Sequence, residues 1–250
     1  MIRAELVKLR RRPLIAWTAA LTLGISVAFV VFNTWRHHSD PAHYGPAGGL
    51  ANLAHGVQTL GFLGTVAAVL VGATAGGQDV GSGVFRDLVT TGTSRLRLFA
   101  VRVPAALAFY LAWFLPALAV ILLSSRVLAG RQPVPSGGML WQYGLGVGAS
   151  TSLDVILSLG LATLLGSRSL AIGLVLGFEL AFSRVLEHMT SLGGLRQLLP
   201  TSAIDRILPT MGEPQGRAVA MGLSTAVIVL VAWAAAAVAA GAWRTASQDA

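Results

Sequence analysis

Cysteine is absent from this chain, which excludes disulfides, thiolate metal sites and cysteine nucleophiles while leaving the compartment open. Lysine is almost absent: Lys8 stands alone, and the net charge of +8 is carried by arginine. A P-loop needs a lysine beside the phosphates, and Lys8 lies outside any G-x-x-x-x-G-K setting, so the chain is not expected to hydrolyse ATP itself. Charge of either sign is scarce, at 11% of residues against 54% hydrophobic. A soluble domain carries about 25% charged residues to cover its surface. With a mean hydropathy of +0.71, lipid must replace water over much of the exterior. A pI near 11.4 would suggest nucleic acid in a soluble protein. Here the arginines gather at the ends of apolar runs and form no groove-reading stripe, which points to anionic headgroups instead.

A spanning helix needs about 20 mostly apolar residues, each adding ~1.5 Å to a path of ~30 Å. Six runs qualify, at 14–32, 57–75, 103–123, 141–165, 170–186 and 218–243. The fifth is the weakest, being short and interrupted by Glu179. The expected fold is therefore an all-α polytopic membrane bundle in a single domain. No repeat of fixed period marks a second unit.

Orientation follows the arginines. With the N-terminus in the cytoplasm, Arg3, Lys8, Arg10, Arg11, Arg12, Arg86, Arg95, Arg97, Arg102, Arg168 and Arg244 lie inside. Arg36, Arg126, Arg131, Arg184, Arg196, Arg206 and Arg217 lie outside. The three arginines abutting the first span weigh most, so both termini are expected in the cytoplasm. A cleaved signal peptide is the competing reading of the first span. Its apolar run is too long, and the nearest small-x-small site, Ser26-Val27-Ala28, falls inside it.

Residues 1–12 form a separate element. Ile2, Leu6 and Leu9 recur at helical spacing among Arg3, Glu5, Lys8, Arg10 and Arg12, and Pro13 suits a new helix start. A short helix with one apolar stripe and a basic face tends to lie in the interfacial plane, although a simple basic anchor for the first span has the same composition. Residues 33–56 read as a polar outer loop. Residues 184–217 carry Pro200 and Pro209 around the amphipathic stretch Ile204 to Leu208. That stretch is either a short helix dipping into the membrane edge or an outer loop.

The connection from Gly76 to Arg102 is the most informative stretch. Val84, Phe85, Leu88 and Val89 fall at helical spacing with Arg86 and Asp87 on the other face. Gly81 and Gly83 break the chain before this element and Gly92 after it. Thr93 or Ser94 then stands where a cap of the next helix belongs. A short amphipathic helix exposed between two spans has headgroups or a partner protein to rest on.

This segment resembles the first cytoplasmic loop of ABC-transporter permeases of the type-2 (ABC-2) family, in which a short coupling helix follows the second span. Asp79 stands at the acidic position, Gly83 at the glycine, Val84 to Val89 along the amphipathic run, and Ser94-Arg95 at the serine-arginine pair. Arg102 takes the basic position at the head of the third span. The N-terminal E-x-x-K-x-x-R pattern of Glu5, Lys8 and Arg11 also resembles the family, as do six spans and a long loop before the last. Val84 departs from the usual threonine, Gly92-Thr93 from the usual proline, and Asp79 from the commoner glutamate. The resemblance implies a permease, expected to be an exporter, paired with a second permease copy or a homologous permease and with two copies of a separate ABC ATPase. Asp79, Gly83, Phe85, Arg86, Asp87, Leu88 and Arg95 would form the ATPase-coupling interface. Ala75-Gly76-Gly77-Gln78 superficially resembles an ABC ATPase signature, but without a P-loop it reads as coincidence. A secondary transporter, or a non-transporting anchor or immunity protein, is the alternative; inverted repeats and broken helices, the marks of the carrier, are not visible.

Asp154 and Glu179 fall within expected spans, where a central carboxylate costs at least ~2.5 kcal/mol by insertion scales. They line a substrate path or dimer seam, or else are neutral or paired carboxyls near an interface. Asp154 is expected close enough to a span end to snorkel, and Glu179 toward the outer end of its span with Arg184 five residues on. His37, His38, His43, His55 and His188 have no metal-ligand spacing, so neither metal nor cofactor is expected. No G-x-S-x-G motif suggests a hydrolase. The small-x-x-x-small steps Gly144-Gly148 and Gly173-Gly177 suggest close helix packing.

Overall fold

The computed structural model describes residues 2–81, 94–208 and 219–247. Its elements, in chain order, are α1 (Ile2–Arg10), α2 (Pro13–Ser39), α3 (Gly49–Gly81), α4 (Arg95–Val127), α5 (Gly137–Leu165), α6 (Arg168–Gly177) and a π-helical turn (Phe178–Phe182). They continue with α7 (Ser183–His188), a 3₁₀ segment (Thr190–Leu198), α8 (Pro200–Ile207) and α9 (Leu223–Ser247). Among the described residues, six helical stretches are long and apolar enough to cross a membrane: Pro13–Ser39, Gly49–Gly77, Arg95–Val127, Gly137–Leu165, Arg168–His188 and Leu223–Ser247. The chain is an all-α polytopic membrane bundle.

Helices α2, α3 and α4 outrun their apolar cores at both ends, because the backbone stays paired into the headgroup region where side chains turn polar, whereas α9 begins only at Leu223, inside its apolar run. The fifth stretch reaches spanning length only because α6, the π turn and α7 join end to end. Helix α2 illustrates the lipid-facing pattern. It buries Thr22 and Ser26 while Trp17 is 67% exposed and Val31, Phe32 and Trp35 also face outward. The buried hydroxyls bond the carbonyls one turn back, Thr22 to Thr18 at 2.9 Å and Ser26 to Thr22 at 2.8 Å. A polar side chain thus satisfied within its own helix needs no water.

Helix α5 is the centre of the bundle, packed along α3 on one side and α9 on the other. Its contact with α3 is glycine-mediated. A Cβ at Gly72 would fall on the Val155 carbonyl and the Ser158 hydroxyl, and one at Gly76 on the Leu159 carbonyl. Gly160 meets the Ala237 backbone of α9 in the same way. The close approaches are therefore not at the steps singled out from sequence. A Cβ at Gly148, Gly173 or Gly177 would meet nothing within 4 Å, and one at Gly144 only Leu122 Cδ1 at 3.4 Å.

Two distinct ends result. At the first, the terminal end, Leu9 of α1 and Phe99 of α4 share one apolar core, and a Cβ on Gly241 of α9 would lie 2.6 Å from Phe99 Cζ. Gly77 approaches Arg168 there as well. At the opposite, loop end, Gly48 N–H donates to the Leu128 carbonyl at 2.9 Å. Residues 190–208 fold back into that end. Trp233 Nε1 donates to Leu198 O at 2.8 Å, Gln142 Nε2 to Ile207 O at 3.2 Å, and Leu208 covers Gly146.

Candidate functional site

The terminal end gathers α1, the last turns of α3, the first turns of α4 and α6, and the close of α9. Arg3, Lys8, Arg10, Arg95, Arg97, Arg102, Arg168 and Arg244 belong to these elements, and Arg11 and Arg12 lie in the turn that joins α1 to α2. Lys8 pairs with Glu5 at 3.7 Å. Of the residues expected to contact an ATPase, Asp79 falls in the last turn of α3 and Arg95 opens α4. Gly83, Phe85, Arg86, Asp87 and Leu88 lie outside the described residues. Ser94 occupies the N-cap position of α4, but its side chain makes no capping bond.

The two intramembrane carboxyls occupy different surroundings. Asp154 is 1% exposed and sits well inside α5, facing α3. This corrects the expectation of a snorkelling residue near a span end. Its Oδ2 accepts a hydrogen bond from Thr65 Oγ1 at 2.8 Å. Next to Thr65, the Gly64 carbonyl accepts from the Tyr110 hydroxyl at 3.2 Å. Gly64 makes room for this arrangement, since a Cβ there would stand 2.6 Å from Phe114 Cε2. Thr151, one turn before Asp154, bonds back to Val147 O at 2.9 Å. A small polar core thus lies between α3, α4 and α5, with Tyr110, Thr151 and Asp154 buried and Thr65 half-buried.

No family model matches the chain, and no curated protein matches it. Its chemistry must be read from its own residues.

Glu179 stands on the π turn, within electrostatic range of Asp154, and is 9% exposed. As the twelfth residue of the stretch opening at Arg168, it lies about 16 Å from the terminal end at ~1.5 Å per residue, near the middle of a ~30 Å hydrocarbon layer. Of the 21 residues of Arg168–His188 it stands just past the midpoint, on the side expected from sequence. Arg184 does not serve it directly. Arg184 Nη1 donates to Glu187 Oε2 at 3.2 Å and to Asp205 Oδ2 at 2.9 Å. Burial raises the Asp205 carboxyl above its ordinary range, Arg184 pulls it back down, and Glu187 pushes it up again. Arg196 gives its guanidinium to the carbonyls of Gly193 and Glu187, and Arg206 bonds the Met221 carbonyl. Glu179 Oε1 is left buried without a hydrogen-bond partner among the described residues.

Beside Glu179 runs a half-open cleft of 350 Å³ between α5, α6 and α9, lined otherwise by carbon-rich side chains. Sequence reading found both carboxyls but not Thr65, Tyr110, the Arg184–Glu187–Asp205 cluster or the cleft. Thr65 and Tyr110 look like ordinary span residues, and only helix contact makes them partners of one site. The Arg184 cluster joins residues 21 apart in sequence across a turn that no local pattern specifies. Among the described residues no group of three or more His, Cys, Asp or Glu gathers as a metal site.

Proposed function

We propose that this chain is the membrane subunit of an ATP-coupled transporter of the ABC-2 type, exporting a substrate across the cytoplasmic membrane. ATP hydrolysis would occur in a separate ATPase dimer, and a second permease, identical or homologous, would complete the pathway. The observation that carries the reading is the sharing of one end of the bundle by the two stretches that resemble the family. Helix α1, with Glu5 and Lys8, packs against α4, which opens at Ser94-Arg95. The connection carrying Gly83 to Leu88 joins α3 to α4 at this end. Its richness in arginine makes it the cytoplasmic face under the positive-inside rule, where a soluble ATPase is available to bind.

The test is co-purification of the detergent-solubilised chain with the ABC ATPase encoded beside it. Wild type is expected to retain the ATPase and raise its turnover, and Arg86→Glu to lose both by reversing a charge on the interface. A wild-type chain that neither retains nor stimulates the ATPase would overturn the proposal.

A second reading, an ion-coupled carrier without an ATPase, draws on one observation: Asp154 and Glu179 are both buried at membrane depth, where carboxyls commonly mark ion or proton paths. It predicts substrate movement in proteoliposomes driven by a proton gradient with no ATPase present. The first reading predicts none.

A further inference from the structure

We propose that the cleft beside Glu179 is a binding site for an amphiphilic amine, with its ammonium head on the Glu179 carboxyl and its apolar body along α5, α6 and α9. The site goes beyond the reading as a permease, because it resides in the isolated chain and needs no ATPase.

Three independent observations converge on it. The first is the carboxyl itself: Glu179 is more than nine-tenths buried, lines the cleft, and has an Oε1 with no partner among the described residues. A buried acid group in this state calls for a donor, and a charged carboxylate calls for a cation. The nearest basic group, Arg184, acts on Glu179 only through space; its hydrogen bonds go to Glu187 and Asp205, and those of Arg196 and Arg206 to backbone carbonyls. The second is the backbone. Phe178–Phe182 is a π-helical turn, a widened turn common at functional sites, and it re-aims the residues it carries. The third is shape and chemistry. Leu161, Leu174, Phe178, Trp233 and Ala240 line the wall, with the Phe178 and Trp233 ring centroids 5.8 Å apart. A volume of 350 Å³ falls within the range of small-molecule sites.

Charge selects an amine over a neutral donor. Glu179 is the one acid group among the residues that line the cleft, and no basic side chain lines it. A charge-assisted N⁺–H···O⁻ bond is also about twice as strong as a neutral one. Depth selects a free amphiphile over a lipid headgroup. Glu179 lies about 16 Å from the terminal end, well below the plane at which a phospholipid amine resides.

The experiment uses the full-length chain in phosphatidylcholine nanodiscs. An ω-bromoundecylamine quenches tryptophan on contact, and the matched ω-bromoundecanol is its neutral counterpart. The Trp233 signal is isolated as the difference from Trp233→Phe. Wild type is expected to show saturable quenching by the amine, at least tenfold tighter than by the alcohol, and Glu179→Gln to weaken the amine at least tenfold. Ala240→Phe fills the cleft from α9 and is expected to remove saturable quenching by both probes. That variant keeps the test decisive if Glu179→Gln fails to fold. Equal binding of amine and alcohol, amine binding unchanged in Glu179→Gln, or binding that survives Ala240→Phe would each overturn the site. Competition by phosphatidylethanolamine in place of phosphatidylcholine would assign the cleft to a lipid headgroup and overturn the free amine as its occupant.

Discussion

Replacing Gly72 by alanine tests the central packing of the bundle, and with it the seat of Asp154. Its added methyl has nowhere to go: the Cβ would fall on the Val155 carbonyl and Ser158 hydroxyl of α5. The Ser158 side chain can rotate, but the Val155 carbonyl is backbone and can yield only if α3 and α5 separate by about 1 Å. Overpacking of this kind costs about 1–3 kcal/mol. Alanine returns about 1 kcal/mol through its higher helix propensity. Separation of the helices also strains the Thr65–Asp154 hydrogen bond two turns away, 2.8 Å long in the structure. Such interhelical bonds contribute about 0.6 kcal/mol on average in membranes, with a maximum near 1.7. The net expectation is a loss of about 1–2 kcal/mol. Gly148→Ala is the control, since its Cβ meets nothing within 4 Å, and it should be neutral or stabilising by up to about 1 kcal/mol. Steric-trap unfolding in bicelles reads both values on one scale. Equal stability for the two variants would refute the glycine-mediated contact, and with it the assignment of Asp154 to a buried core.

Two further outcomes follow from the same geometry. Thr65→Val removes the hydroxyl that Asp154 Oδ2 accepts from and should cost about 1 kcal/mol in the same unfolding assay, whereas Thr65→Ser should retain wild-type stability. The absence of native cysteine makes topology directly measurable: in intact spheroplasts a membrane-impermeant maleimide should label Ser39→Cys at the loop end and leave Ser94→Cys at the terminal end unlabelled. Labelling of Ser94→Cys alone would reverse the orientation.

Architecture was readable in the sequence because lipid imposes a crude rule, about 20 apolar residues per crossing, and each helix obeys it. The weak fifth span was weak for a physical reason. Glu179 interrupts its hydropathy, and the chain keeps helical pairing through it by widening one turn. Packing was less readable. Gly144-Gly148 has the right spacing for helix contact, yet Gly72-Gly76 makes it, because spacing alone does not say which face of a helix meets another. The carboxyls could be found as isolated charges in apolar runs, but their depth and partners depend on helix register. Nothing near Arg184 in sequence announces that Asp205 will fold back to claim it ahead of Glu179.

The functional weight of the two carboxyls is separable by the packing of the helices that carry them. Helix α5 is fixed on two sides, by Gly72 and Gly76 of α3 against its backbone and by its own Gly160 against the Ala237 backbone. It cannot turn without breaking one contact or the other. Asp154 is consequently held against Thr65 in a small polar core, an arrangement suited to fixing helix register. The stretch Arg168–His188 is held far more loosely. Ala171, Val175, Glu179 and Ser183 make one narrow buried line along it, while Leu170, Leu174, Leu180, Phe182 and Val185 face outward. A helix seated on so thin a line, with a π turn at its midpoint, leaves beside it the cleft that Glu179 lines. Of the two buried acids, Asp154 belongs to the scaffold and Glu179 is the one placed to bind.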